Sequence, residues 1–304
     1  MYQSSNIFDE IRESFRKGNT LTKLIYINLG VFILVQLFFL VFFLFNENPL
    51  AQKSAYFQAF YLSYLMVPSD ILMLLRQPWT LITYMFLHFG FFHILFNLLV
   101  LFWFGRIFLH YLNQKQLLTT YLLGGFSGAA FFIVSYNVFP GLSDGQALGA
   151  SAAVMAIVVA ISAYAPNYEV YIPIIGPAKL KYIALVIIII DVLQIASDNA
   201  GGHLAHLGGA LYGYLFAIGL RRGKDTGKGF SKFTDKLVSI FLRRPKLKVA
   251  HKSNARFMND LDYNKSKAEA QKEIDKILDK IAQSGYDSLS KKEKETLFKM
   301  GNNR

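Results

Sequence analysis

Within the most apolar part of this chain, a small set of polar residues is able to do chemistry together: Ser151, the histidines His88, His93, His203 and His206, Asn97 and Asp191. A serine hydroxyl is a weak nucleophile until a base takes its proton, and an imidazole within hydrogen-bond reach is a suitable base. Ser151 with His206 therefore reads as a nucleophile and its base. His93 and Asn97 are four residues apart, so on a helix they face the same way and both can donate hydrogen bonds at one point. His88 reads as support for the same pocket. His203, one turn before His206, reads as structural or as part of the rim. Asp191 reads as polar glue between helices or as a residue of the cytoplasmic half.

The elements that must position these residues follow from composition. The chain has 304 residues, 53% of them hydrophobic, and its mean hydropathy is +0.32. That balance favours the bilayer as solvent over water. Stretches free of Asp, Glu, Lys and Arg run over 24–46, 77–105, 116–143, 145–168 and 199–220, and 182–197 is broken only by Asp191. A spanning helix needs about 20 mainly apolar residues. Six spans are therefore expected, near Leu24–Phe45, Leu81–Phe104, Leu117–Val138, Gln146–Ala165, Leu180–Ala196 and Gly202–Leu220. The first has no small-residue cleavage site after it and is read as retained. Asn46 to Pro78, rich in Tyr and Phe, reads as an extracytoplasmic loop with short interfacial helices.

Charge gives the orientation. Of the 32 Lys and Arg residues, 22 follow Leu220, together with 11 acidic residues. Basic residues before the first span and after the last put both termini in the cytoplasm, and Arg106, Lys115, Lys179 and Lys181 fall in loops expected on that side. Spans two, four and six then all run inward from the outer face. Ser151 and His206 lie about five and four residues into theirs, hence roughly 6–10 Å below the outer interface at about 1.5 Å per residue. Gly145, Gly149 and Ala153 on the fourth span, and Gly209 and Gly213 on the sixth, form small-residue faces that let two helix backbones approach closely. Close approach is what would bring the Ser151 hydroxyl to His206.

The order Pro78-Trp79, His88, His93-Ile-Leu-Phe-Asn97, Gly149-Ala150-Ser151 and Ala205-His206-Leu-Gly-Gly209 with Gly213 resembles the rhomboid family of intramembrane serine proteases, over roughly Leu21 to Leu220. The resemblance implies an all-α polytopic membrane protein with a six-transmembrane-helix core and a Ser151–His206 dyad without an acid. It also implies an oxyanion site drawing on His93, Asn97 and the Ser151 backbone N–H, with His88, Gly149 and Ala150 in support. The implied substrates are transmembrane proteins whose spanning helix is cleaved near the outer face. Three residues depart from the family pattern: Ala152 replaces a Gly, Thr80 an Arg and Leu109 a Glu. A Cβ at Ala152 is expected to reach towards the oxyanion pocket.

Other classes fit less well. The chain has no Cys, so disulfides and thiolate metal sites are excluded. No His-Glu-x-x-His zinc motif occurs, an aspartyl protease would need a second intramembrane aspartate, and no cofactor or metal is expected. A transporter would show repeated halves with interrupted helices. The alternative from another class is a catalytically inactive rhomboid-like protein that binds membrane clients.

The expected domains are 1–20, a cytoplasmic segment; 21–222, the membrane core; and 223–304, a basic cytoplasmic tail with a helical hairpin near 268–300. In that hairpin Gly285 breaks the helical pattern, and Ser290 with Glu293 spells a capping box. The tail's charge suits anionic lipid headgroups, and no nucleic-acid module is visible. The expected location is a bacterial inner membrane.

Overall fold

Helix α2 (Thr20–Phe45) begins where the Asn19 side chain accepts the Thr22 N–H at 2.9 Å, and it continues through 26 residues without a charge after Lys23. It follows an amphipathic helix α1 (Ile7–Lys17). In a computed structural model, residues 6–47, 56–58, 62–172, 176–197, 199–241 and 260–301 are described. They fall into two compact units, Met1–Arg243 and Arg244–Arg304.

In the first unit a short strand β1 (Val67–Pro68) leads to α3 (Ile71–Arg76) and a single turn α4 (Thr80–Thr83). The long helices α5 (Phe91–Tyr111) and α6 (Gln114–Val138) follow, the latter opened by a reciprocal Asn113–Gln116 capping box. Strand β2 (Gln146–Ala147) pairs antiparallel with β1, Val67 opposite Ala147 and Pro68 opposite Gln146. Then come α7 (Ser151–Tyr164), a hairpin of β3 (Glu169–Ile172) and β4 (Gly176–Lys179), α8 (Leu180–Leu193), α9 (Ala200–Arg221) and α10 (Lys228–Phe241).

Helix α7 is the centre of the bundle. Eleven of its 14 residues are buried, and it is flanked by helices with glycines at the contacts. A Cβ on Gly209 of α9 would lie 2.0 Å from the Ala152 carbonyl oxygen, and one on Gly213 would lie 2.2 Å from that of Ala156. Only hydrogen at these two positions lets the α7 and α9 backbones touch, the contact type that replaces hydrophobic driving force between helices in lipid. Ser127 of α6 adds an interhelical bond, donating to the Gly208 carbonyl at 2.7 Å rather than to its own helix. Asn28 of α2, fully buried, donates to Tyr121 on α6 at 3.1 Å.

The outside of the bundle is apolar. Leu34 and Leu37 on α2 and Leu185, Val186 and Leu193 on α8 are exposed, Leu193 by 76%. Such a surface is stable in lipid and not in water. On α3 the exposed Ile71, Leu72 and Leu75 suit an interfacial helix.

Several boundaries differ from the sequence expectation. Among the described residues three helices, α2, α5 and α6, are long and apolar enough to cross a membrane by themselves. Helices α7 and α8 have 14 residues each, about 21 Å of rise. The expected second span is split: α4 and a 3-10 turn at Tyr84–Phe86 precede a loop, so His88 lies before α5 and not on it. The expected fourth span starts at Ser151, because Gly149 has a positive φ of 127° that ends any helix before it. Gly223 to Phe241, read from composition as tail, belongs to the first unit: Lys115 of α6 pairs with Asp235 of α10 at 2.6 Å, and Phe126 meets Phe230 with ring centres 6.2 Å apart. The loop stretches 48–55 and 59–61 and the basic run 242–259 lie outside the described residues.

The second unit contains α11 (Asp260–Ser284) and α12 (Lys291–Gly301). Gly285 between them takes φ 78°. Glu293 accepts the Ser290 N–H at 2.7 Å while its own N–H reaches the Ser290 hydroxyl at 3.4 Å, closing the capping box. Lys280 of α11 pairs with Glu293 at 3.0 Å.

Candidate active site

The segment that delivers Ser151 is not helical, so its backbone polar groups must be satisfied individually inside the bundle. Gly145 N–H donates to the Ser69 hydroxyl and Ser69 N–H to the Gly145 carbonyl, both at 2.9 Å. Gly149 N–H donates to the Tyr84 carbonyl at 2.9 Å, and Ala150 N–H donates to His88 Nε2 at 3.3 Å. His88, fully buried, is thus a prop for the loop in front of the serine. Its ring meets that of His93 edge-on, with centres 5.0 Å apart. Gly149 is needed twice here, for its positive φ and because a Cβ would lie 3.0 Å from the His93 ring.

Ser151 is therefore the first residue of α7. Its N–H is one of the donors that a helix start leaves without a helical partner, at the positive end of the helix dipole. Ser151 and His206 line one cavity of about 240 Å³ together with Asn97 and Asp191; Phe96, Val154, Met155, Ile187 and Ile190 make its apolar walls. The Asn97 amide donates to the His93 carbonyl at 2.8 Å. His93 lies beside Gly149 rather than on the cavity wall.

Ala152 does not crowd this cavity. Its Cβ faces Gly128 of α6, where an added Cβ would be only 2.5 Å away, and the residue is 1% exposed. The expected reach into the oxyanion pocket is thus corrected: the side chain points along the α6–α7 contact. Thr80 is buried and its hydroxyl donates to the Gln77 carbonyl at 2.7 Å.

The second correction concerns the acid. Asp191, read from sequence as glue or as part of the cytoplasmic half, places Oδ1 2.8 Å from Nδ1 of His206 and 2.8 Å from Nδ1 of His203. Where no acid was expected, a carboxylate thus meets the ring of His206. A signal for this was present in the sequence: with alternating helix direction, a residue eleven positions into an outward-running span lies at the same end as one few residues into the next. His203 is likewise more than a rim residue, since His203 and His206 share the face of α9 that meets Asp191.

Comparison with known proteins bears on the fold. Residues 75–223 match the Rhomboid domain family, and residues 260–300 match a family of unknown function, DUF6576. The chain is 29% identical over 158 residues to RHOMBOID-like protein 12, mitochondrial, of Arabidopsis thaliana, covering 48% of this chain and 47% of that one. It thus spans about half the length of this curated relative. The Rhomboid match contains the helices that carry Asn97, Ser151, Asp191 and His206 together with the loop holding His88, and residues 75–223 of this membrane protein form a rhomboid-family domain.

Proposed function

We propose that this protein is an intramembrane serine endopeptidase that hydrolyses peptide bonds in or near the transmembrane segments of membrane-protein substrates. The observation that carries the reading is the meeting of Ser151 and His206 in one cavity, delivered by α7 and α9 at a contact that only glycine permits. Ser151 Oγ attacks the scissile carbonyl carbon while its proton passes to His206 Nε2. The tetrahedral oxyanion is met by the Ser151 N–H and the Asn97 amide, with His93 close by. His206 then gives its proton to the leaving amine, and a water molecule activated by the same ring hydrolyses the acyl-enzyme. Ser151 and His206 form no hydrogen bond with each other among the described residues, and such contacts commonly tighten only when substrate binds.

With this reading go six crossings, both termini cytoplasmic and the basic C-terminal region near anionic headgroups. The shortness of α7 suits the chemistry: the chain enters it as a loop, and Ser151, half-buried at its start, lines the cavity. The test is cleavage of a model transmembrane substrate, with fluorophosphonate labelling alongside. Ser151→Ala and His206→Ala should each lower cleavage by about 10³-fold or more and abolish labelling, while the proteins stay folded. An unlabelled, inactive wild type would instead identify a client-binding protein.

A further inference from the structure

A carboxylate buried in a membrane protein is costly and is retained where it is satisfied or used. Asp191 is 4% exposed, and both of its near partners are histidine ring nitrogens on the next helix. His203 and His206 lie three residues apart on α9, with ring centres 5.8 Å apart and planes at 83°. Both therefore present Nδ1 to the same oxygen without stacking. A carboxylate oxygen accepts from two N–H groups, so each neutral ring carries its proton on Nδ1. For His206 this leaves Nε2 as the basic nitrogen, on the ring that lines the cavity with Ser151.

We propose that Asp191 is the positioning carboxylate of a Ser151–His206–Asp191 triad, and that His203 holds that carboxylate in place by donating to the same oxygen. The inference rests on the protease reading above. Asp191 performs no bond-making itself. It fixes the tautomer and orientation of His206, and its negative charge offsets the imidazolium formed when Ser151 gives up its proton. An added glue between α8 and α9 would use the hydrogen bonds but not the charge, and this difference separates the two roles.

The experiment uses the full-length protein in lipid nanodiscs. Asp191→Asn keeps an oxygen of the same shape on the two rings and removes the charge. It should lower kcat by roughly 10²- to 10⁴-fold, the upper end being the loss seen on such a change in an unrelated serine protease, with KM and thermal unfolding little changed. His203→Gln should cost less than Asp191→Asn. Should the Asn variant fail to fold, Asp191→Ala with added formate decides: restored fluorophosphonate labelling supports the triad, and no restoration overturns it. Wild-type kcat in Asp191→Asn, with Ser151→Ala inactive, overturns the role of Asp191 and leaves the protease reading standing. An inactive wild type overturns both. Because the ligand-capable atoms of Asp191, His203 and His206 all lie within 4.8 Å of one another, activity lost to a chelator and restored by zinc would reassign the cluster as a metal centre and overturn the triad.

Discussion

Gly209 of α9 and Ala152 of α7 meet backbone to backbone: a Cβ on the glycine would fall 2.0 Å from the alanine carbonyl oxygen. The residue next to the proposed nucleophile is thus held by the helix that carries its base, three residues from His206. Packing and chemistry share one contact.

Gly209→Val should therefore damage both. Overpacking a close contact costs about 1–3 kcal/mol, and relief requires α7 and α9 to separate, which draws Ser151 from His206. Lower thermal stability in detergent and loss of fluorophosphonate labelling are the expected results. A fully active, wild-type-stable variant would mean that the two helices are not in contact.

Ala152→Gly tests where the alanine side chain points. The Cβ packs on Gly128 and not into the cavity, so restoring the family's glycine should leave turnover unchanged. Stability should fall by about 0.5–1 kcal/mol, the cost of glycine inside a helix. A large gain in kcat would place the methyl group in the oxyanion pocket after all.

Asn97→Ala removes a donor from the cavity wall. Its amide rests on the His93 carbonyl at 2.8 Å and must turn towards the oxyanion in the reaction. Turnover should drop by about 10- to 1000-fold, in line with the loss of one oxyanion donor, with little change in KM. An equal rise in KM alone would mark Asn97 as a residue of substrate binding.

In the second unit, Glu293 is held well below the ordinary carboxylate range, at about 2, by the Ser290 hydroxyl and N–H and then the Lys280 ammonium. A folded value below the unfolded one means that the carboxylate stabilises the capped hairpin at all pH above about 4.5. That contribution is lost as pH falls through about 2. Amide exchange over 285–301 should speed up across this window in the wild type, whereas Glu293→Gln should already exchange faster at neutral pH and show no such acid step.

Much of this protein is local in character and was legible in its sequence. Uncharged runs of more than 20 residues require a bilayer, small residues four apart mark the faces where helices touch, and Ser290 with Glu293 marks a helix start. Each depends only on residue type and periodicity along one segment. The same counting gave Ser151 and His206 one expected depth, and put His93 and Asn97 on one helix face. Tertiary structure decided the rest: that His88 props a loop instead of riding a helix, that α10 joins the bundle, that the Ala152 methyl turns to Gly128, and that Asp191 reaches His206. These depend on how each helix is rotated about its axis and where it begins. Because successive helical residues turn by about 100°, a shift of one residue in a helix start redirects every side chain that follows, and only the packed neighbours fix that phase.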